Sequence, residues 1–172
     1  DGRPEKRKVY CHACPGAFVP PNEAISQPMC QAFWPTRPRA MYSVGVGNDW
    51  SFQVHALKAA RELVVHAYDP TVQLEEKHRA AALALGSRVN FHFMGLGGGD
   101  PPTALVGQTQ NAYGSLATSS LWTLRQLVDR NPPEERQIDI LTIDCEGCEW
   151  AALEQLWVSG DSLLRSVKLL MI

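Results

Sequence analysis

The stretch Met41-Tyr-Ser-Val-Gly-Val-Gly-Asn-Asp-Trp50 decides the fold. Tyr42, Val44 and Val46 are apolar or β-prone, so residues 41–47 predict a buried strand that runs out at Gly45 and Gly47. Glycine lacks the Cβ that would hold a ligand away from the backbone. Asn48 or Asp49 can cap a helix opening near Trp50, because a short side-chain oxygen accepts a bond from an orphan amide just downstream. Free amides at a helix start add a mild positive field. Strand, glycine turn and helix in that order are how an open α/β sheet holds a nucleotide-like ligand. A glycine pair after one strand is weak evidence alone, so the rest of the chain must supply the case.

Working outward, the pattern alternates. Residues 49–62 predict a helix with Phe52, Leu57, Ala60 and Leu63 near one face. Leu63–Tyr68 predicts a second strand, stopped at Asp69-Pro70 because proline cannot continue a ladder. Residues 72–85 form an Ala/Leu/Glu-rich helix closed by Gly86, and Arg88–Met94 a third strand. Residues 95–118 read as one long loop, a length usually reserved for function. A helix over 119–130, a strand over Ile138–Ile143, a helix over 148–158 and a strand over Ser166–Ile172 complete the series. Trp122, Trp150 and Trp157 are expected on helix faces packed against the sheet. Alternation of this kind predicts βαβ units and a doubly wound, mostly parallel α/β sheet. Residues 1–40 are proline-rich and predict an extended arm with one short helical turn, ahead of a domain over 41–172.

At 172 residues the chain is long enough for one sizeable core. A formal net charge of −2 argues against a dedicated nucleic-acid binder. No apolar run approaches the ~20 residues of a membrane span. The first residues show no apolar signal segment, and the last strand is cut short, so both ends are expected to belong to something longer and the compartment stays open.

On a doubly wound sheet, ligands bind beyond the carboxyl ends of the strands. The residues there are Gly45, Gly47 and Asn48, then Asp69, then Gly95 and Leu96, then Asp144 and Glu146. Asp69 can accept two hydrogen bonds from a ribose diol, or can be an ordinary turn aspartate before Pro70. With the glycine turn upstream, the ligand role is favoured. Asp144, Glu146 and Glu149 gather three carboxylates able to orient an acceptor, act as a base or hold a metal. Glu149 is assigned to the helix dipole, Asp144 and Glu146 to function. Five cysteines do not close a disulfide framework. Cys11/Cys14 and Cys145/Cys148 have the spacing of zinc ligands, but Cys145 is expected to point away from Cys148, so no metal is assigned. If the protein is secretory, a disulfide is expected instead from Cys30 or within the arm. His55, His66, His78 and His92 are read as surface or satisfied core residues, with no ligand role.

Ser43-Val-Gly-Val-Gly-Asn-Asp-Trp-Ser-Phe52, Tyr68-Asp-Pro-Thr71, Gly95-Leu-Gly-Gly98 and Ile138–Trp150 together resemble the FkbM-type methyltransferase domain, closest to its methyltransferase-like eukaryotic branch. The resemblance runs from about residue 30 to the end. It implies a class I, Rossmann-like fold that uses S-adenosylmethionine and transfers a methyl group, here to a hydroxyl oxygen. Carried over by position, Gly45 and Gly47 would face the methionine part of the cofactor and Asp69 its ribose. Gly95 and Leu96 would border the adenine, and Asp144 would sit near the sulfonium and the acceptor. Val46, Asn48 and Pro70 complete the cofactor-binding set, with Asp144 and Glu146 as the catalytic pair. In the family the positions of Cys145 and Cys148 are more often Ile-like and Ser-like, which makes the pair look incidental.

The class I sheet carries two further strands after the fifth, and these are missing, leaving an apolar edge for another chain or segment to cover. The acceptor is left open among a sugar, a lipid, a small metabolite and a protein, with a small molecule or a glycan as the partner considered. A rival reading is a non-catalytic fold serving as a structural subunit of an assembly. A nicotinamide oxidoreductase is disfavoured because Trp50 occupies the place of the third glycine of a dinucleotide site.

Overall fold

A computed structural model of the chain describes residues 17–18, 29–30, 34–97, 110–117, 120–145 and 147–172. The chain divides into two units, 1–34 and 35–172. In the first, Ala17–Phe18 (β1) pairs antiparallel with Met29–Cys30 (β2). The expected helical turn of the arm and the Cys11/Cys14 pair lie outside the described residues.

The second unit is built on a five-stranded sheet. Its strands are Ala40–Val44 (β3), Val64–Tyr68 (β4), Val89–His92 (β5), Ile140–Ile143 (β10) and Leu169–Met171 (β11), in the order β11-β10-β3-β4-β5. Every pairing is parallel. The order reverses at β3, so the switch point lies beside the glycine turn. The doubly wound α/β class read from the sequence is the observed one.

The register explains the two-sided burial. Tyr42 stands opposite His66 and Leu141, while Met41 stands opposite Val65 and Ile140. Side chains alternate across a strand. Tyr42, Val44, Tyr68, Leu141 and Ile143 therefore enter one core with Leu124–Asp129 (α3) and Cys148–Val158 (α4). Ser43 faces the other way, where its Oγ accepts from Gln53 Nε2 (2.8 Å) of Ser51–Ala59 (α1) and from Thr142 Oγ1 (3.0 Å). Phe52, Ala56 and Leu57 are buried on that side.

Several element boundaries shift from expectation. The first strand stops at Val44, before the glycines. The second helix divides into a 3-10 turn, Val72–Leu74, and Glu75–Leu85 (α2). Part of the expected long loop is ordered. Gly95–Leu96 (β6) pairs with Leu121–Trp122 (β9), and Gln110–Asn111 (β7) forms a hairpin with Gly114–Ser115 (β8). The helix expected from 119 begins at Leu124, because Thr123 and Gln126 form a capping box that fixes the start. Leu163–Ser166 is a short helix (α5), leaving only Leu169–Met171 as strand.

Two tryptophans correct the packing expectation. Trp150 and Trp157 are 70% and 84% exposed on α4 rather than packed on the sheet. Leu153 lies partly buried against the core and Ala152 and Leu156 fully so, and these short side chains suffice to seat the helix. Trp122 is half-buried in β9, with the Arg130 guanidinium 3.6 Å above its ring. Among the described residues β11 pairs with β10 alone, and Leu170 on it is 41% exposed.

Candidate cofactor site

The site assembles at the carboxyl ends of β3, β4 and β10. Gly45 and Gly47 have φ of +76° and +58°, left-handed values that disfavour any side chain. Gly45 donates its N–H to Tyr68 O at 2.8 Å, tying the turn to the end of β4. A Cβ on Gly45 would lie 1.9 Å from Asp144 O, so the absence of that atom lets the β3 and β10 ends touch. Val46 between the glycines is buried. At the start of α1, Asp49 Oδ1 accepts the Ser51 N–H at 2.8 Å. The neighbouring Asn48 is exposed, and its side-chain oxygen accepts from Lys77 Nζ.

Asp69 is the central acid of the site. Its Oδ2 accepts the Gly47 N–H at 2.8 Å and its Oδ1 the Thr71 N–H at 2.9 Å. One carboxylate thus joins the glycine turn to the segment after β4. His78 of α2 brings Nε2 to 3.6 Å from Oδ2 and accepts from Trp50 Nε1 at 3.0 Å with its other nitrogen. Burial pushes the Asp69 carboxyl up, but the His78 ring beside it and the bonds from Thr71 and Gly47 outweigh it and hold the group below the usual carboxylate range. It is an ionised acid only 2% exposed.

The β7–β8 hairpin is moored to the same segment. Asn111 Nδ2 donates to Thr71 Oγ1 at 2.8 Å, Ser115 N–H to Gln73 Oε1 at 2.8 Å, and Ala117 N–H to Pro70 O at 2.8 Å. Tyr113 at its tip lies over Gly47, where a Cβ would meet its ring at 3.0 Å. The sequence points to Trp50 through its place after the glycine turn, but not to Tyr113, Gln73 or His78 as neighbours of the site. The hairpin has no apolar alternation to announce it, and Trp50 and His78 meet only through the fold.

Gly95 packs against Pro70, whose Cγ would be 2.5 Å from an added Cβ. Leu96 turns its side chain into the core, so it is the backbone of this segment that borders the site. Asp144 is exposed at the end of β10 and donates its N–H to Val44 O at 2.9 Å. Glu146 lies outside the described residues. The structure therefore brings Gly45, Gly47, Asp69, Pro70, Gly95 and the Asp144 backbone into one region.

Cys145 and Cys148 correct an expectation. They are joined by a disulfide rather than pointing apart, because Gly147, at φ +120°, turns the chain back at the helix start. Glu149 closes the same turn, accepting the Cys145 and Gly147 N–H groups, each at 2.7 Å. No group of three or more potential metal ligands occurs among the described residues.

Two further histidines, buried His66 and half-buried His92, lie side by side. His66 Nδ1 lies 3.2 Å from His92 Nε2, and the His92 ring stacks on Tyr68 at 4.6 Å. His66 Nε2 lies 2.8 Å from Glu135 Oε2 but forms no aligned hydrogen bond there. Burial pushes both histidines down to about 4, so they are neutral rings of the core.

A family model described as a methyltransferase domain matches residues 32–170, and the chain belongs to that family. No curated protein and no solved structure matches it.

Proposed function

We propose that this methyltransferase domain binds S-adenosylmethionine across the ends of β3 and β4 and transfers its methyl group to an acceptor hydroxyl, as the resemblance to the FkbM-type branch implies. The Gly47–Asp69 hydrogen bond carries the reading, since it unites a side-chain-free turn with a buried, ionised carboxylate. The residues fit the cofactor. A carboxylate offers about four acceptor positions; two are taken by the Gly47 and Thr71 amides, and a ribose diol would replace the Thr71 hydroxyl and the His78 ring at the other two. The methionine portion would lie along the side-chain-free backbone of the turn, which Tyr113 covers at Gly47.

When bound, the cofactor supplies a methyl group already activated on a sulfonium. The chain's task is then to hold and align, and positioning alone can supply much of a rate enhancement. Asp144 and Glu146 are assigned to orienting the acceptor hydroxyl and receiving its proton. The acceptor proposed is a small molecule or a glycan. Tyr113 covers the glycine turn, so a ribose reaches Asp69 once the hairpin gives way.

A second reading, a non-catalytic subunit, is favoured by a specific surface. Trp150, Trp157 and Val158 are exposed along α4. Calorimetric titration with S-adenosylmethionine and S-adenosylhomocysteine separates the two. Micromolar binding corresponds to about 8 kcal/mol. Asp69→Ala should weaken it by ~1.5–3 kcal/mol per charged bond lost. A folded wild type that binds neither compound overturns the enzyme reading and leaves the subunit reading standing.

A further inference from the structure

The wall of the glycine turn contains a covalent cross-link. Asp144 O lies against Gly45, and the very next residue, Cys145, is bonded to Cys148, the first residue of α4, with their Cα atoms 5.5 Å apart. The same turn is fixed by Asp144 N–H on Val44 O (2.9 Å) and by Glu149 on the Cys145 and Gly147 amides (2.7 Å each). These are non-covalent bonds at a partly exposed strand end. The disulfide adds the covalent restraint among them.

We propose that Cys145–Cys148 is a redox modification site, a dithiol–disulfide switch whose oxidised form holds the end of β10 against the first residue of α4 in the cofactor-binding arrangement. The link to cofactor affinity rests on the cofactor reading above; the redox site itself does not. Cross-linking removes open conformers of a short loop, and a preorganised wall binds more tightly than one that must first be ordered.

The chemistry balances with an external dithiol as reductant. Cys148 is 4% exposed while Cys145 is half-buried, so the incoming thiolate meets the Cys145 sulfur. A bond forms between that thiolate and Cys145 Sγ as the Cys145–Cys148 bond breaks. Cys148 leaves as a thiolate at the start of an 11-residue helix, where the amide field stabilises it. The second thiol of the reductant then attacks the mixed disulfide and releases Cys145. Two electrons and two protons pass to the protein, and the dithiol becomes a disulfide. A small-molecule disulfide reverses the sequence.

The test uses the full chain, oxidised and dithiothreitol-reduced, beside a Cys145→Ser/Cys148→Ser variant. Two readouts are taken: amide hydrogen exchange over 144–149 without ligand, and titration with S-adenosylhomocysteine. Reduction should speed exchange in that turn roughly tenfold in the wild type. It should weaken S-adenosylhomocysteine binding about five- to tenfold. The double-serine variant should match the reduced wild type under both conditions. Identical exchange in oxidised and reduced wild type overturns the proposal, as does an equal response to reductant in the double-serine variant. Exchange that responds while neither form binds S-adenosylhomocysteine keeps the redox site and brings down the cofactor reading instead.

Discussion

Asp139 and Asp69 are buried carboxylates at opposite ends of one parallel sheet, and they differ in what satisfies them. Asp139 precedes β10. It accepts the Arg39 and Ala40 N–H groups (2.6 and 3.2 Å) and the Lys168 ammonium (2.5 Å). It thereby stitches the starts of β3, β10 and β11. Asp69 follows β4 and meets amides and an imidazole, but among the described residues no lysine or arginine pairs with it. Burial pushes both acids up, and their partners pull both below the ordinary range. Asp139 carries its own counter-ion. Asp69 is held ionised by amides, a hydroxyl and an imidazole, groups whose places a ligand's hydroxyls could take. The contrast separates a carboxylate that serves the fold from one suited to a ligand, although both are buried and both are acidic.

The most damaging change should fall at the ligand end of the sheet. Gly45→Ala forces a Cβ to 1.9 Å from a backbone carbonyl at φ +76°, and neither partner can turn aside. A loss above ~4 kcal/mol, or failure to fold, is expected by thermal unfolding. Gly86→Ala is the control. It also has positive φ, with ψ −173°, but nothing lies within 4 Å, so it should cost only the backbone strain, about 1–3 kcal/mol.

At the structural end, Asp139→Asn weakens the bonds to the Arg39 and Ala40 amides and removes the charge facing the half-exposed Lys168, and should cost about 2 kcal/mol by urea denaturation. Little change in its slope with denaturant is expected.

Acid should reveal the core between the two ends. His66 and His92 are held at about 4 by burial, against about 6.5 when unfolded. The unfolded chain therefore takes up protons first as pH falls. The stability these rings contribute is complete above 6.5 and is lost as pH falls towards about 4. For His66 the loss should be on the order of 2–3 kcal/mol, and His66→Gln should flatten the urea midpoint across that window. The lowered carboxyls of Asp69 and Asp139 act further down, contributing above the ordinary carboxylate range and failing as pH drops through their folded values.

The smallest effect concerns the end of α1. Arg88 Nη1 donates to the carbonyls of Ala60 and Arg61 at 3.0 and 3.1 Å, satisfying a helix end. Arg88→Ala should cost about 1 kcal/mol by the same denaturation, with no effect on ligand binding.

The sheet was legible because its signals are local. Tyr42, Val44, Leu141 and Ile143 form runs that only a doubly covered sheet buries, and the turn glycines and Pro70 punctuate them. The helix over 148–158 was legible to its ends, since Gly147 and Glu149 announce its start. Errors arose where an apolar residue served another element. Leu121 is in helical step with Leu124 and Val128, yet it pairs with Gly95 as strand. Trp150 and Trp157 looked like core because of their size, whereas the smaller Ala152 and Leu156 fill that space. Within the candidate site, Asp69 and the glycines could be named from order along the chain. The cover that Tyr113 lays over Gly47 could not, because that contact joins residues far apart in sequence and carries no pattern. The disulfide was missed for a similar reason, as it depends on the left-handed turn at Gly147.

The central claim is that Asp69 serves a ligand and Asp139 serves the fold. It is tested most directly by measuring S-adenosylhomocysteine affinity for Asp69→Asn and Asp139→Asn side by side, at a temperature where both are folded. The expected result is a loss of at least roughly tenfold for Asp69→Asn, about 1.4 kcal/mol or more, and wild-type affinity for Asp139→Asn. Equal affinity in the two variants would contradict the division of labour between the two ends of the sheet.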